Sequence, residues 1–165
     1  MSFLDRIQPR HHPDQGTKTW SALNQLLCDA PKQPLENRDF RYLSYAEEIS
    51  RLSPRNRHKV GCVIVQKNEV IAQGHNMIKT HPFQARWNQH SAFLHAETAA
   101  LLTAMKNPNF QPERCTVYVS RYTRRGFLGC SYPCRSCWAA LDHLGVQRIV
   151  CYDETDRATK ICMGG

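Results

Sequence analysis

Residues 95–145 read HAETAALLTAM (95–105), CTVYVS (115–120) and PCRSCWAALDHLG (133–145) at their three informative segments. The first and third segments carry small and apolar residues at helical spacing, and a proline opens the third while Gly145 closes it. The middle segment is short and rich in β-branched residues, which is typical of a strand. This stretch therefore predicts a helix, a strand and a second helix.

The flanking sequence extends this pattern in both directions. Upstream, apolar residues from Phe40 to Leu52 predict an amphipathic helix that ends before Pro54, and VGCVIVQKNEVIAQG (60–74) predicts a β-hairpin that turns at Lys67 and Asn68. Residues 74–94 are polar and predict a long loop. Downstream, QRIVCY (147–152) predicts a strand, and ATKICM (158–163) is a short apolar segment. A last strand formed there must be antiparallel to 147–152, because the connection is too short for a parallel crossover.

Helices that alternate with strands in this order predict an α/β fold. We expect a three-layer α/β/α arrangement around a central mixed sheet of about five strands. Residues 1–38 are polar and contain four prolines, so they predict an N-terminal arm with one helix near residues 19–28. Residues 39–165 then form one domain.

The composition narrows the cellular setting. Of the 165 residues 41% are hydrophobic, no apolar run approaches the ~20 residues that span a bilayer, and the N-terminus lacks the apolar run of a signal peptide. We therefore expect a cytoplasmic protein that does not enter membranes. The formal net charge of +8 favours anionic partners such as nucleotides or nucleic acid.

Three side chains at the starts of the two helices are candidate metal ligands. Cys134 and Cys137 are three residues apart and lie on one face of a helix, while His95 opens the other helix. Histidine and cysteine are the ligands that zinc prefers, and three protein ligands leave the fourth tetrahedral position open, as in catalytic sites. We predict one zinc ion per chain. Cys130 is the one nearby residue that could close the site instead and make it structural.

Glu97 lies two residues after His95, where it can approach the zinc without binding it. Zinc lowers the pKa of a bound water to ~7, so the hydroxide can attack a carbon that bears an amino group. Glu97 would carry the proton of that water to the ring nitrogen and to the departing amine. The combination of H-x-E with P-C-x-x-C is the pattern of zinc deaminases.

Residues Val60–Tyr152 resemble the cytidine deaminase-like superfamily, and most closely its deoxycytidylate deaminase-type members, which include phage enzymes. The resemblance rests on GCVIV (61–65), GHN (74–76), HAE (95–97), PCRSC (133–137) and RIVCY (148–152). It implies the three-layer fold and a homo-oligomer. It also implies that Asn76 hydrogen-bonds the substrate sugar and that the backbone of Ala96 meets the pyrimidine edge.

The chain departs from this family in two places. An extra stretch, Arg121–Ser131, precedes the second motif, and the short C-terminus lacks the last helix and strand of many members. An antiparallel final pair of strands would be similar to the free-nucleoside branch. Candidate substrate contacts lie in this extra stretch and next to it. Tyr132 could stack on a base. Three arginines could either contact a phosphate or form a solvated hairpin tip: Arg121, Arg124 and Arg125.

Three functions are compatible with these residues. The first is deamination of a free nucleotide, with zinc hydroxide attacking C4 of deoxycytidylate to give deoxyuridylate; a pyrimidine nucleotide is then the partner, in the host cytoplasm if a phage encodes the chain. The second is a cytosine or adenine deaminase of single-stranded DNA or RNA, which the net charge and the aromatic residues favour. The third is a non-catalytic zinc-binding module, which the presence of Glu97 disfavours.

Overall fold

In the computed structural model of the chain, residues 29–89, 91, 93–123 and 126–163 are described. The arm helix expected near residues 19–28 lies outside this part. The helices are α1 (Asn37–Ser50), α2 (Pro82–Trp87), α3 (Ala96–Met105) and α4 (Arg135–Leu144), with a 3₁₀ turn at Pro112–Arg114. The strands are β1 (Lys32–Gln33), β2 (Lys59–Gln66), β3 (Glu69–His75), β4 (Cys115–Tyr122), β5 (Leu128–Gly129), β6 (Arg148–Tyr152) and β7 (Ala158–Cys162).

A mixed sheet joins all of these strands in the order β1-β7-β6-β4-β2-β3, and β5 pairs with β4. β4 and β6 run parallel, whereas β2 is antiparallel to both β3 and β4. β6 and β7 are antiparallel, as their short connection requires. The α/β prediction is confirmed, but the described sheet has seven strands rather than about five. The added strands, β1 and β5, have two residues each, too few to show an alternating pattern.

Helices cover both faces of the sheet, because successive strand residues point to opposite sides. On one face α1 packs through Leu43 and Ala46 onto Val63 and Tyr118. On the other face α3 and α4 pack onto a second core, formed by Cys62, Ile64, Val117, Val119 and Ile149 among others. None of the described helices has the length and apolarity needed to cross a membrane.

Two glycines let the helices approach the sheet closely. A Cβ at Gly61 would lie 2.0 Å from the Ala46 carbonyl oxygen of α1, and one at Gly74 would lie 2.5 Å from the Ala100 nitrogen of α3. Both distances are shorter than real contacts allow, so only glycine fits. Gly74 thereby brings the first turns of α3 against β3 and places the start of that helix at the sheet edge.

The polar segment 74–94, expected to be a loop, contains the short helix α2. Pro82 occupies its first turn, and the His81 ring accepts a hydrogen bond from Phe83 N at 3.0 Å. A capping side chain followed by proline is a recognised helix start, but six residues are too few to show helical periodicity. The loop prediction is therefore wrong at this point, and the helix matters for the site described next.

Candidate metal centre and active site

The first turns of α3 and α4 bring three potential ligands together. His95 and Cys134 are the N-cap residues of α3 and α4, and Cys137 lies in the first turn of α4. His95 Nδ1 is 3.3 Å from the Sγ atom of Cys134 and 3.3 Å from that of Cys137. One donor atom from each residue lies within 4.8 Å of the other two.

This donor set fits zinc. Tetrahedral zinc holds nitrogen at ~2.0–2.1 Å and sulfur at ~2.3 Å, so the ligand atoms themselves should be roughly 3.5 Å apart. A hydrogen bond from Cys137, and then one from His95, hold the pKa of Cys134 well below its ordinary value despite burial. A thiolate at a helix N-terminus is what a divalent cation requires. Among the described residues Cys130 is not part of this group, so the three ligands leave one coordination position for another molecule.

Glu97 projects from the first turn of α3 and is buried, with 5% of its surface exposed. Burial, and then the negative charge of Cys134, raise the pKa of its carboxyl group. A buried carboxyl group with a raised pKa beside these ligands is suited to take up and release a proton, which is the task of a general acid–base.

Two polar residues hold His95 in place. Its Nε2 atom lies 3.3 Å from Ser91 Oγ, whose hydroxyl donates to Phe93 O at 2.8 Å. Its backbone N–H donates to Gln84 Oε1 at 3.0 Å, and the Thr98 hydroxyl donates to the same oxygen. Gln84 is fully buried in α2, so this short helix orients the metal-binding turn of α3.

Replacing Gln84 by methionine, which has a similar shape, should lower the free energy of unfolding by about 1–3 kcal/mol, because the buried His95 N–H loses its acceptor. Urea denaturation measures this change. Gln147, an exposed residue that bonds Gly145 O, is the matched control, and Gln147→Met should change little. An unchanged midpoint in Gln84→Met would show that α2 does not support the site.

Basic side chains gather at the start of β2 and the end of β4, and one of them stacks on Phe93, two residues before His95. Arg121 Nη2 contacts His58 Nδ1, and the Arg55 guanidinium lies over the Phe93 ring, 4.2 Å from its centroid. Burial, and then the charges of Arg121, Arg55 and Arg57, lower the pKa of His58. No salt bridge within the described residues includes any of these groups, and Arg121 Nε is buried without a hydrogen-bond partner there. We name Arg55, Arg57, His58 and Arg121 the basic cluster.

The structure places the other expected substrate contacts as follows. Asn76 is buried, and its amide accepts from Val60 N at 2.9 Å and donates to His58 O at 2.7 Å. Ala96 is fully buried at the first position of α3, and Tyr132 is buried in the core against α4. Their substrate roles stay predictions. Arg124 and Arg125 lie outside the described residues.

Sequence reasoning missed Gln84, Ser91, Arg55 and His58. The first two lie in the segment expected to be a loop, where the His81-Pro82 pair was the available signal for a helix. Arg55 and His58 precede β2, and antiparallel pairing of Lys59 with Tyr122 brings them to Arg121. That proximity depends on strand register across about 60 residues of chain, for which no local pattern exists.

Known proteins share this fold and its metal-binding region. Residues 36–153 match the family described as the cytidine and deoxycytidylate deaminase zinc-binding region. Cytosine deaminase of Candida albicans is 32% identical over 89 residues, which are 54% of this chain and 47% of that protein. The chain thus spans about half the length of this curated relative.

Two solved structures show the same fold at low sequence identity. The dCMP deaminase of cyanophage S-TIM5 has a TM-score of 0.54 and 21% identity, over 74% of this chain and 88% of that one. Cytidine deaminase from Burkholderia pseudomallei has a TM-score of 0.56 and 18% identity, over 78% and 93% respectively. The family match covers more than two thirds of the chain and contains all three candidate ligands. The chain therefore belongs to the cytidine and deoxycytidylate deaminase zinc-binding family.

Proposed function

We propose that this chain hydrolyses the amino group from cytosine in a free nucleotide, with deoxycytidylate as substrate and deoxyuridylate and ammonia as products. The observation that carries the proposal is the basic cluster. Through Arg55, which stacks on Phe93 two residues before His95, it offers cationic charge to an anionic substrate near the candidate ligands. The family description also names deoxycytidylate, and the S-TIM5 dCMP deaminase of similar fold has been solved with dCMP and dUMP.

His95, Cys134 and Cys137 are the residues that would hold the zinc. When bound there, zinc supplies Lewis-acid activation of a water molecule. Glu97 would accept a proton from that water and donate it to N3 of the cytosine ring as the hydroxide adds to C4. It would then take the proton of the new C4 hydroxyl group and pass it to the amino group, so that the C4–N bond breaks, ammonia leaves and a C4 carbonyl remains. Its burial excludes bulk water from these transfers, and its raised pKa lets it hold the proton between them. The net change adds one water and releases one ammonia.

The basic cluster favours a nucleotide over an uncharged nucleoside or free base. Arg55 lies in the connection before β2 and Arg121 near the end of β4, and no carboxylate of the described residues forms a salt bridge with either. Arginine binds phosphate through paired N–H groups, so either could hold a 5′-phosphate. The antiparallel pairing of β6 and β7, similar to the free-nucleoside branch, also favours a small substrate. The homo-oligomer remains a prediction from the resemblance.

Replacing Arg55 by glutamine should lower kcat/KM for deoxycytidylate about tenfold or more and leave kcat/KM for deoxycytidine unchanged, because only the nucleotide carries the phosphate. Steady-state kinetics on both substrates measures the difference. The control is Arg41→Gln, which removes an exposed charge from α1. Equal losses on both substrates would mean that Arg55 supports the fold of the site rather than the phosphate.

A substrate screen by mass spectrometry tests the proposed class directly. The zinc-loaded chain is offered deoxycytidylate, deoxycytidine, cytosine, adenine nucleotides, and single-stranded DNA and RNA, and replacement of an amino group by oxygen is the signal. Conversion of deoxycytidylate ahead of the others supports the proposal. Conversion of the strands with free nucleotides untouched contradicts it and identifies a nucleic-acid deaminase, whereas preference for cytosine would match the Candida albicans relative instead.

A further inference from the structure

A cavity of about 330 Å³ lies away from the metal centre. It opens beneath the first turn of α1, between the β2–β3 turn and the first residues of β4 and β6. The metal ligands lie on the opposite face of the sheet, and β4 runs from the cavity at Thr116 towards Arg121 of the basic cluster. Seven charged residues line the cavity: Glu36, Arg38, Asp39, Lys67, Arg114, Arg148 and Lys160.

The charges in this cavity are only partly balanced. Lys160 Nζ lies 2.8 Å from Asp39 Oδ2, and both side chains are buried. Arg38 Nε lies 2.6 Å from Glu36 Oε2, which also lines the cavity. The remaining three cations, Lys67, Arg114 and Arg148, take part in no salt bridge within the described residues.

Neighbouring hydrogen bonds hold the walls of the cavity in place. Arg148 Nε donates to Thr116 Oγ1 at 3.1 Å, which orients its guanidinium group. Across the cavity Arg38 donates to Asn68 Oδ1 and the Tyr42 hydroxyl to Asn68 O, both at 2.7 Å, so the β2–β3 turn is tied to α1. A site whose groups are already positioned loses less entropy when a ligand binds.

We infer that this cavity binds an oligophosphate, a ligand with two or more adjacent phosphate groups. Three unbalanced cations from three separate segments converge on one concave space, and two of them are arginines, whose planar N–H groups match phosphate oxygens. The volume lies at the lower end of the range of small-molecule sites. A single phosphate group would neutralise only part of this positive charge, whereas an apolar ligand would bury the positive charge without a counterion. This inference does not depend on the proposed function.

Isothermal titration calorimetry of the zinc-loaded full chain with sodium tripolyphosphate tests the inference at low ionic strength. We expect saturable binding that weakens as salt is added. Arg114→Gln and Arg148→Gln should each weaken it roughly tenfold, since each removes hydrogen bonds from a charged donor. The control, Lys106→Gln, removes an exposed charge at the end of α3, on the other face of the sheet, and should leave the affinity unchanged.

Further arms identify the source of the phosphates. A nucleoside triphosphate that binds as well as tripolyphosphate, or better, supports the inference and places the oligophosphate on a nucleotide. The inference is overturned if tripolyphosphate does not bind, or if Arg114→Gln and Arg148→Gln bind it with the affinity of the wild type. It is also overturned if orthophosphate binds as tightly as tripolyphosphate. Binding of a single-stranded oligonucleotide alone would also overturn it.

If Arg148→Gln fails to fold by circular dichroism, Lys67→Gln on the exposed turn replaces it. All these variants should deaminate substrate at the rate of the wild type. A failure of this inference can therefore be distinguished from a failure of the proposed function.

Discussion

Replacing Glu97 by alanine should leave the zinc content unchanged and slow turnover of deoxycytidylate by about 10²- to 10⁴-fold, the usual range for a general acid–base. Glu97 lies beside the three ligands, but its carboxylate is not among the three donor atoms that converge on one point. Its loss therefore removes proton transfer without removing the metal. Metal analysis and steady-state kinetics on the same preparation measure both quantities.

The matched control for this variant is Glu113→Ala, which removes an exposed carboxylate from the 3₁₀ turn at the far end of β4. It should retain both zinc and activity. Retained activity in Glu97→Ala would defeat the assigned proton carrier. Loss of zinc in the same variant would instead place Glu97 among the ligands.

Replacing Cys134 by alanine should release the zinc and destabilise the chain. Three protein ligands would hold the ion, and removal of one should weaken zinc binding by more than the 10- to 100-fold that loss of an outer hydrogen bond causes. Because zinc binds the folded chain, the loss also removes its contribution to stability. Competition with a chromophoric chelator measures the affinity, and thermal unfolding with and without zinc measures the coupling.

Cys162→Ala controls for the loss of a half-buried thiol elsewhere in the sheet, since Cys162 ends β7 and lies outside the ligand group. Its zinc affinity should equal that of the wild type. A Cys134→Ala chain that still binds zinc with full affinity would show that another residue completes the site, and Cys130 would be the first to replace.

Much of this fold could be predicted because its main elements carry strong local patterns. The β2–β3 hairpin is an apolar run that turns at Lys67 and Asn68, both at positive φ, and α3 and α4 carry small and apolar residues at helical spacing. The strand β1 could not be predicted, because a two-residue strand exists only through its partner: Lys32 pairs with Ile161. Tertiary pairing, not propensity, creates this element.

The candidate site also contains some residues that could be predicted from the sequence and others that could not. The residue types at His95, Glu97, Cys134 and Cys137 carry their chemistry in the sequence, and spacing alone predicts that the two cysteines share a helix face. The residues that position or surround these four cannot be recognised from the sequence, because an arginine or a glutamine has many possible partners. Gln84 became informative only when α2 was seen to place it against His95 N, and Arg55 only when its guanidinium was found over Phe93.

The two motif helices also determine when the metal can be captured during synthesis. About 40 residues separate His95 from Cys134, and β4 lies between them. At the usual elongation rates of about 5–20 residues per second, the ribosome needs roughly 2–8 s to add that stretch. The complete ligand set is therefore available only after Cys137 has been added, when β2, β3, α3 and β4 have already been synthesised. Zinc delivery is thus a late event in the life of the nascent chain, after most of its core has been made.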